Sequence, residues 1–177
     1  MKLRFFIILS IFTIALVSCN LDSESNFTPQ MSIWASHVNK TDTIKIRYTE
    51  VGGIIKMDTI NVGDTILLRL YLDALTNHLA NFQIALSDTS ASKLVLPAVS
   101  LLDSVFSKSQ SNYSTRSFAF HDNESSFFFP IHYVAKKSTS DAYVQFTLTS
   151  DANFKLSEGT NITSFKLVIP AKVKVVQ

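Results

Sequence analysis

Along most of the chain apolar and polar residues alternate one by one, the period of a strand that buries one face and wets the other. Ile44, Ile46 and Tyr48 alternate with Lys45, Arg47 and Thr49, and Ile66, Leu68, Leu70 and Leu72 alternate with Leu67, Arg69 and Tyr71. Ala80, Phe82, Ile84 and Leu86 hold one parity against Asn81, Gln83 and Ser87, as Ala142, Val144, Phe146 and Leu148 do against Tyr143, Gln145 and Thr147. One-sided runs of this kind predict antiparallel strands. The last run is the longest: Phe165, Leu167, Ile169, Ala171, Val173 and Val175 share a parity, with Pro170 on the polar one. Its missing N–H suits an edge strand or a bulge, so a long C-terminal strand with a managed edge is expected.

Between Phe127 and Val134 both parities are apolar. Such a strand is either covered on both sides or offers its second face to a partner, and burial on both sides is the expectation here. Turn signals separate the runs: Val51-Gly52-Gly53, Asn61-Val62-Gly63-Asp64, Thr76-Asn77-His78, His121-Asp122-Asn123-Glu124 and Ser157-Glu158-Gly159-Thr160. One helix is predicted, Ser100 to Phe106, with Ser100 at its cap and Leu102, Val105 and Phe106 on one side. With no amphipathic helices between strands, βαβ units are excluded in favour of a sandwich or a barrel.

The first residues break the pattern. Lys2 and Arg4 precede an apolar stretch from Phe5 to Val17, shorter than the about 20 residues a membrane-spanning helix needs. It ends in Leu16-Val17-Ser18-Cys19, which resembles the lipobox of bacterial lipoproteins. The resemblance implies a signal peptide over residues 1–18, cleavage before Cys19, lipidation of that cysteine, and residence in the cell envelope as an outer-membrane lipoprotein, facing the periplasm or the surface. Several acyl chains on one residue give stable anchoring where a single chain does not. A polar, Ser-rich stretch follows, so residues 19–31 read as a tether and residues 32–177 as one domain. Within that domain, Ile60-Asn61-Val62-Gly63-Asp64-Thr65-Ile66-Leu67-Leu68 resembles the opening of bacterial immunoglobulin-like domains, without the Cys and Trp marks of true immunoglobulin domains. Trp34 lies upstream of the first clear alternating run. The fold expected is all-β, an immunoglobulin-like antiparallel β-sandwich, with a small β-barrel as the alternative.

Charge narrows the partners. Without Lys2 and Arg4 the 16 basic residues fall to 14, against 14 acidic ones, so the body is formally neutral and lacks the basic footprint of nucleic-acid binding. Cys19 is the single cysteine, which rules out an intramolecular disulfide and a cysteine metal cluster. No Gly-x-Ser-x-Gly elbow, Gly-rich phosphate loop or His-Glu-x-x-His pair occurs, so no catalytic residue, metal or cofactor is assigned. The strongest polar cluster is His121, Asp122 and Glu124, with His132 beside it if Phe118 to Tyr133 forms a hairpin, and the expected reading is a turn. Asp151, Asn153 and Glu158 lack the spacing of a calcium loop.

Two kinds of site remain. By parity Trp34, Tyr71, Phe128 and Tyr143 point outward, which suits a stacking platform for a ligand. Thr43, Thr59, Thr65 and Ser104 each follow Asp and precede an aliphatic residue, a pattern that resembles the acceptors of a general O-glycosylation system for exported proteins. The function expected is a lipid-anchored envelope module that binds a glycan or an envelope protein without catalysis. Its rivals are a carrier of an apolar ligand, suggested by the 14 phenylalanines, and a pilus or adhesin subunit that exchanges its C-terminal strand.

Overall fold

The alternating runs pair into two sheets whose apolar faces meet. The computed structural model describes residues 26–38, 43–48, 52–155 and 158–174. Residues 1–18, expected to be a signal peptide, and Cys19, Asp42 and Val175 lie outside them. In chain order the strands are β1 (Gln30–His37), β2 (Ile46–Tyr48), β3 (Ile54–Met57), β4 (Ile60–Asn61), β5 (Thr65–Asp73), β6 (Leu79–Leu86), β7 (Ser92–Val95), β8 (Ser117–Ala119), β9 (Ser126–Ala135), β10 (Tyr143–Ser150), β11 (Ile162–Val168) and β12 (Ala171–Lys172), with helix α1 (Val99–Val105) after β7. One sheet has the order β1-β5-β9-β7 and the other β2-β3-β11-β10-β6-β8, while β12 pairs with β4. The sheets do not close on themselves, so the molecule is an all-β sandwich and not a barrel. Most pairs are antiparallel, but β11 runs parallel to β3 and β12 to β4. Each parallel pair joins segments about a hundred residues apart, a separation that imposes no hairpin geometry.

The core is the interior of this sandwich. Ile66, Leu68, Leu70 and Leu72 of β5 are buried, as are Val144, Phe146 and Leu148 of β10 on the facing sheet. Phenylalanines bridge the layers: the Phe82 ring meets Phe129 edge-on at 5.4 Å and stacks on Phe146 at 6.2 Å. Phe106, just past α1, touches Phe118, Phe120, Phe127 and Phe129 at 4.7–5.7 Å. Each fully buried ring contributes about 1.5–3 kcal/mol of transfer free energy, so this cluster closes one end of the sandwich. Ala98 occupies the cap position of the helix with no side-chain cap bond, and Ser100, expected there, sits inside the first turn. Leu102 and Phe106 hold it in place by burial.

Four sequence expectations change. First, β1 begins at Gln30, and Asn26 is already docked: its Nδ2 donates to the Asn153 carbonyl at 2.7 Å, and its Oδ1 accepts from the Asn153 N–H at 3.0 Å. The folded body therefore starts before residue 32, and Trp34 lies within a strand. The alternation of Met31, Ile33 and Ala35 is masked by a tryptophan on the wet parity. Second, the C-terminal run is not one edge strand. It breaks at Ile169 and Pro170, both buried, and β11 lies inside its sheet between β10 and β3. Pro170 donates nothing, while its carbonyl accepts from Ile60 N–H at 2.9 Å and directs the chain onto β4.

Third, Phe118 to Tyr133 is not a hairpin, because β8 pairs with β6 and β9 with β5 and β7 on the opposite sheet. Phe118 and Phe129 meet across the interior at 5.3 Å. Fourth, β9 is covered on one side only. Phe129, Ile131 and Tyr133 are buried, whereas Phe128 is 60% exposed.

Candidate functional site

The open side of β9 belongs to the outer face of the four-stranded sheet. Pairing sets its rows: Ser32 lies opposite Tyr71 and Tyr71 opposite Phe128; Trp34 opposite Arg69 and Arg69 opposite Pro130. Cross-strand and diagonal neighbours on one face lie within reach of aromatic side chains. The Phe128 ring is 4.7 Å from Tyr71 and 6.3 Å from Trp34, so three rings from three strands form one ledge. Trp34 is 49% exposed. The stiff strands behind the ledge, with Ile33, Leu70 and Phe129 buried beneath it, fix its shape.

Tyr143, the fourth residue expected on the platform, is not part of it. It lies on β10 in the other sheet, with the Lys166 ammonium 4.9 Å above its ring.

Arg69 stands exposed within the ledge and makes no ion pair among the described residues. The outward carboxylate on the same strand, Asp73, is occupied: its Oδ1 accepts the Leu75 N–H at 2.7 Å. Lys93 of β7 is exposed on the same face, opposite Val134. Among the described residues the face therefore carries two cations and one carboxylate, and Arg69 is the cation that stands in the same row as Trp34.

The histidines fall elsewhere. His121 and His132 are not brought together, since they lie on segments assigned to opposite sheets. His132 faces outward between Leu67 and Val95. His121 and Asp122 instead line an open depression with His78 and Asp151. His78 and Asp151 form a reciprocal clasp that sequence spacing hides, 73 residues apart: Asp151 accepts from the His78 N–H at 2.7 Å and lies 3.0 Å from its Nδ1. The Asp151 N–H donates back to the His78 carbonyl at 3.0 Å. Partial burial pushes the Asp151 carboxyl up, but these hydrogen bonds and the charge of His78 outweigh it and hold its pKa below the ordinary value. A carboxylate-oriented imidazole is one part of a general-base site, but no hydroxyl or thiol lines the depression. Among the described residues no three His, Cys, Asp or Glu side chains are grouped to hold a metal.

The candidate modification sites differ in access. Thr43 and Thr59 are exposed and line one shallow depression together with Asp58 and His37. Ser104 is exposed, with its hydroxyl donating to the Leu101 carbonyl at 2.7 Å. Thr65 is half-buried within β5, paired with Val134.

No protein-family model matches the chain, and no curated protein matches it. Among solved structures it is similar to a DUF4466 family protein from Parabacteroides merdae, at 10% identity and a TM-score of 0.35, over 83% of this chain and 46% of that one. The chain thus spans less than half the length of that structure.

Proposed function

We propose that this chain is a lipid-anchored module of the cell envelope, of immunoglobulin-like type, that binds a glycan or an envelope protein through the outer face of its four-stranded sheet and performs no catalysis. The observation that carries this reading is the ledge of Trp34, Tyr71 and Phe128. Single exposed apolar residues are ordinary on a protein surface, but three contacting rings on a rigid sheet form a pre-shaped contact surface. The lipobox-like Leu16-Val17-Ser18-Cys19 supports anchoring in the outer membrane. The exposed Thr43, Thr59 and Ser104 support O-glycosylation more than the half-buried Thr65 does.

The rival readings have less support. Several of the phenylalanines that suggested an apolar-ligand carrier contact one another in the space between the sheets, Phe82 and Phe118 of one sheet against Phe129 of the other. Strand exchange through the C-terminal run would require removing β11 from between two neighbours.

The test uses a Cys19→Ser form, released from its anchor, and cell envelopes from cells lacking the protein. Co-sedimentation is expected for this form and is lost when Trp34→Ala and Phe128→Ala are added, with the melting temperature held within a few degrees. Retention that ignores both substitutions would refute the assignment of the binding face. Intact mass of the native protein checks the anchor: a mass lacking acyl chains on Cys19 removes that part of the reading.

A further inference from the structure

We infer that the ledge takes an acidic polysaccharide, with pyranose rings stacked on Trp34 and Phe128 and a sugar carboxylate held by Arg69. This rests on the binding role proposed above and names its ligand class. Area argues first. About half of the Trp34 surface and three-fifths of that of Phe128 stand open. At about 150–250 Å² per aromatic side chain, that is roughly 200 Å² of exposed ring. A stable protein interface takes about 800 Å² from each partner over core and rim together, of which these two rings would supply about a quarter, whereas their area by itself matches one or two sugar rings.

The surroundings of the rings argue next. Ser32 beside Trp34, and Gln30 and Ser126 in the next row, are exposed hydrogen-bonding groups set around an apolar ledge. A pyranose presents the same mixture, an apolar C–H face ringed by hydroxyls.

Charge then selects among sugars. Arg69, between Trp34 and Pro130 in the register, has no carboxylate partner among the described residues. Lys93 adds a second cation on the face, four residues along β9 from the Arg69 row. Asp73 is a carboxylate in the row of Gln30 and Ser126 whose Oδ1 accepts from its own loop, so the sugar carboxylate is placed at Arg69 and not at that row. A guanidinium offers a planar fork that matches a carboxylate bidentately, which a neutral sugar cannot use.

Trp34 is the single tryptophan of the chain, so intrinsic fluorescence reports on this ledge alone. The mature protein in detergent would be titrated with polygalacturonate, alginate and hyaluronate, and with the carboxyl-reduced, neutral form of each, at physiological salt. At least one acidic polymer should shift Trp34 emission and bind about tenfold or more tightly than its reduced form, as expected for one charge-assisted pair. Arg69→Gln should erase that difference while leaving the melting temperature unchanged. Equal binding of acidic and reduced polymers, or indifference to Arg69→Gln, overturns the acidic-sugar inference and leaves the binding face standing. Silence of Trp34 toward all six polymers, with envelope retention still dependent on Trp34 and Phe128, overturns it in favour of a protein partner. Loss of that dependence as well removes the binding reading itself.

Discussion

Replacing Phe106 by alanine should separate the aromatic residues that build this protein from those that it displays. Phe106 is fully buried, and four other rings surround it at 4.7–5.7 Å. Removing the ring forfeits about 1.5–3 kcal/mol of transfer free energy, and the cavity left after partial relaxation adds to this, for a loss of about 4 kcal/mol, within the roughly 3–5 kcal/mol typical of such changes. For a domain of this size each kcal/mol moves the melting temperature by about 2–4 °C, so a fall of about 8–16 °C is expected. The matched control is Phe128→Ala. That ring is 60% exposed and rests on two neighbours, so its removal should cost less than about 1 kcal/mol. Urea unfolding of the Cys19→Ser forms, with the slope compared as well as the midpoint, measures both. A loss below about 1 kcal/mol for Phe106→Ala would mean that the end of the sandwich is not a packed core. An equal loss for the two variants would refute the division into built and displayed rings.

Other expectations follow from single groups. The buried Tyr133 hydroxyl has Ser92 as its polar neighbour but makes no well-formed hydrogen bond among the described residues, so Tyr133→Phe should raise stability by up to about 1 kcal/mol in the same unfolding assay; a clear loss would show that Ser92 holds it. Asp151 has a folded pKa below its ordinary value, so its clasp on His78 stabilises the fold above about pH 4 and is lost as pH falls through the lower, folded value. Asp151→Asn should therefore cost less than about 1 kcal/mol at neutral pH, given that half of the side chain is in water, and the gap to wild type should close in acid. A gap independent of pH would contradict the ionic account. Tyr113, pushed up to about 12 by burial and by donating to Asp103 at 2.7 Å, should titrate above the ordinary tyrosine value in an ultraviolet titration, and Asp103→Asn should lower it. For a raised tyrosine the stabilising contribution is full below the ordinary value and fades as pH climbs through the folded one.

The sequence by itself determined the strands whose two faces meet different media. In β5 and β10 the inward side chains are buried along the predicted parity, and in β6 Phe82 and Ile84 are, with Leu79 buried off that parity and Ala80 and Leu86 half-buried, because a pleated chain sends successive residues to opposite sides. All-β class and the outward direction of Tyr71 and Phe128 were legible for the same reason. β1 was not, since Trp34 occupies a wet position that usually takes a polar residue, and a period of two cannot distinguish a displayed ring from a misplaced one. Which strands neighbour one another is not written in any local period. Face-to-face burial of Phe118 and Phe129 sent β8 and β9 to opposite sheets, and the missing N–H of Pro170 turned the last strand from β3 to β4. Only that arrangement brought Trp34, Arg69, Tyr71 and Phe128 together and left Tyr143 behind. It also joined His78 to Asp151, because hydrogen bonds between distant loops depend on where the sheets place their ends.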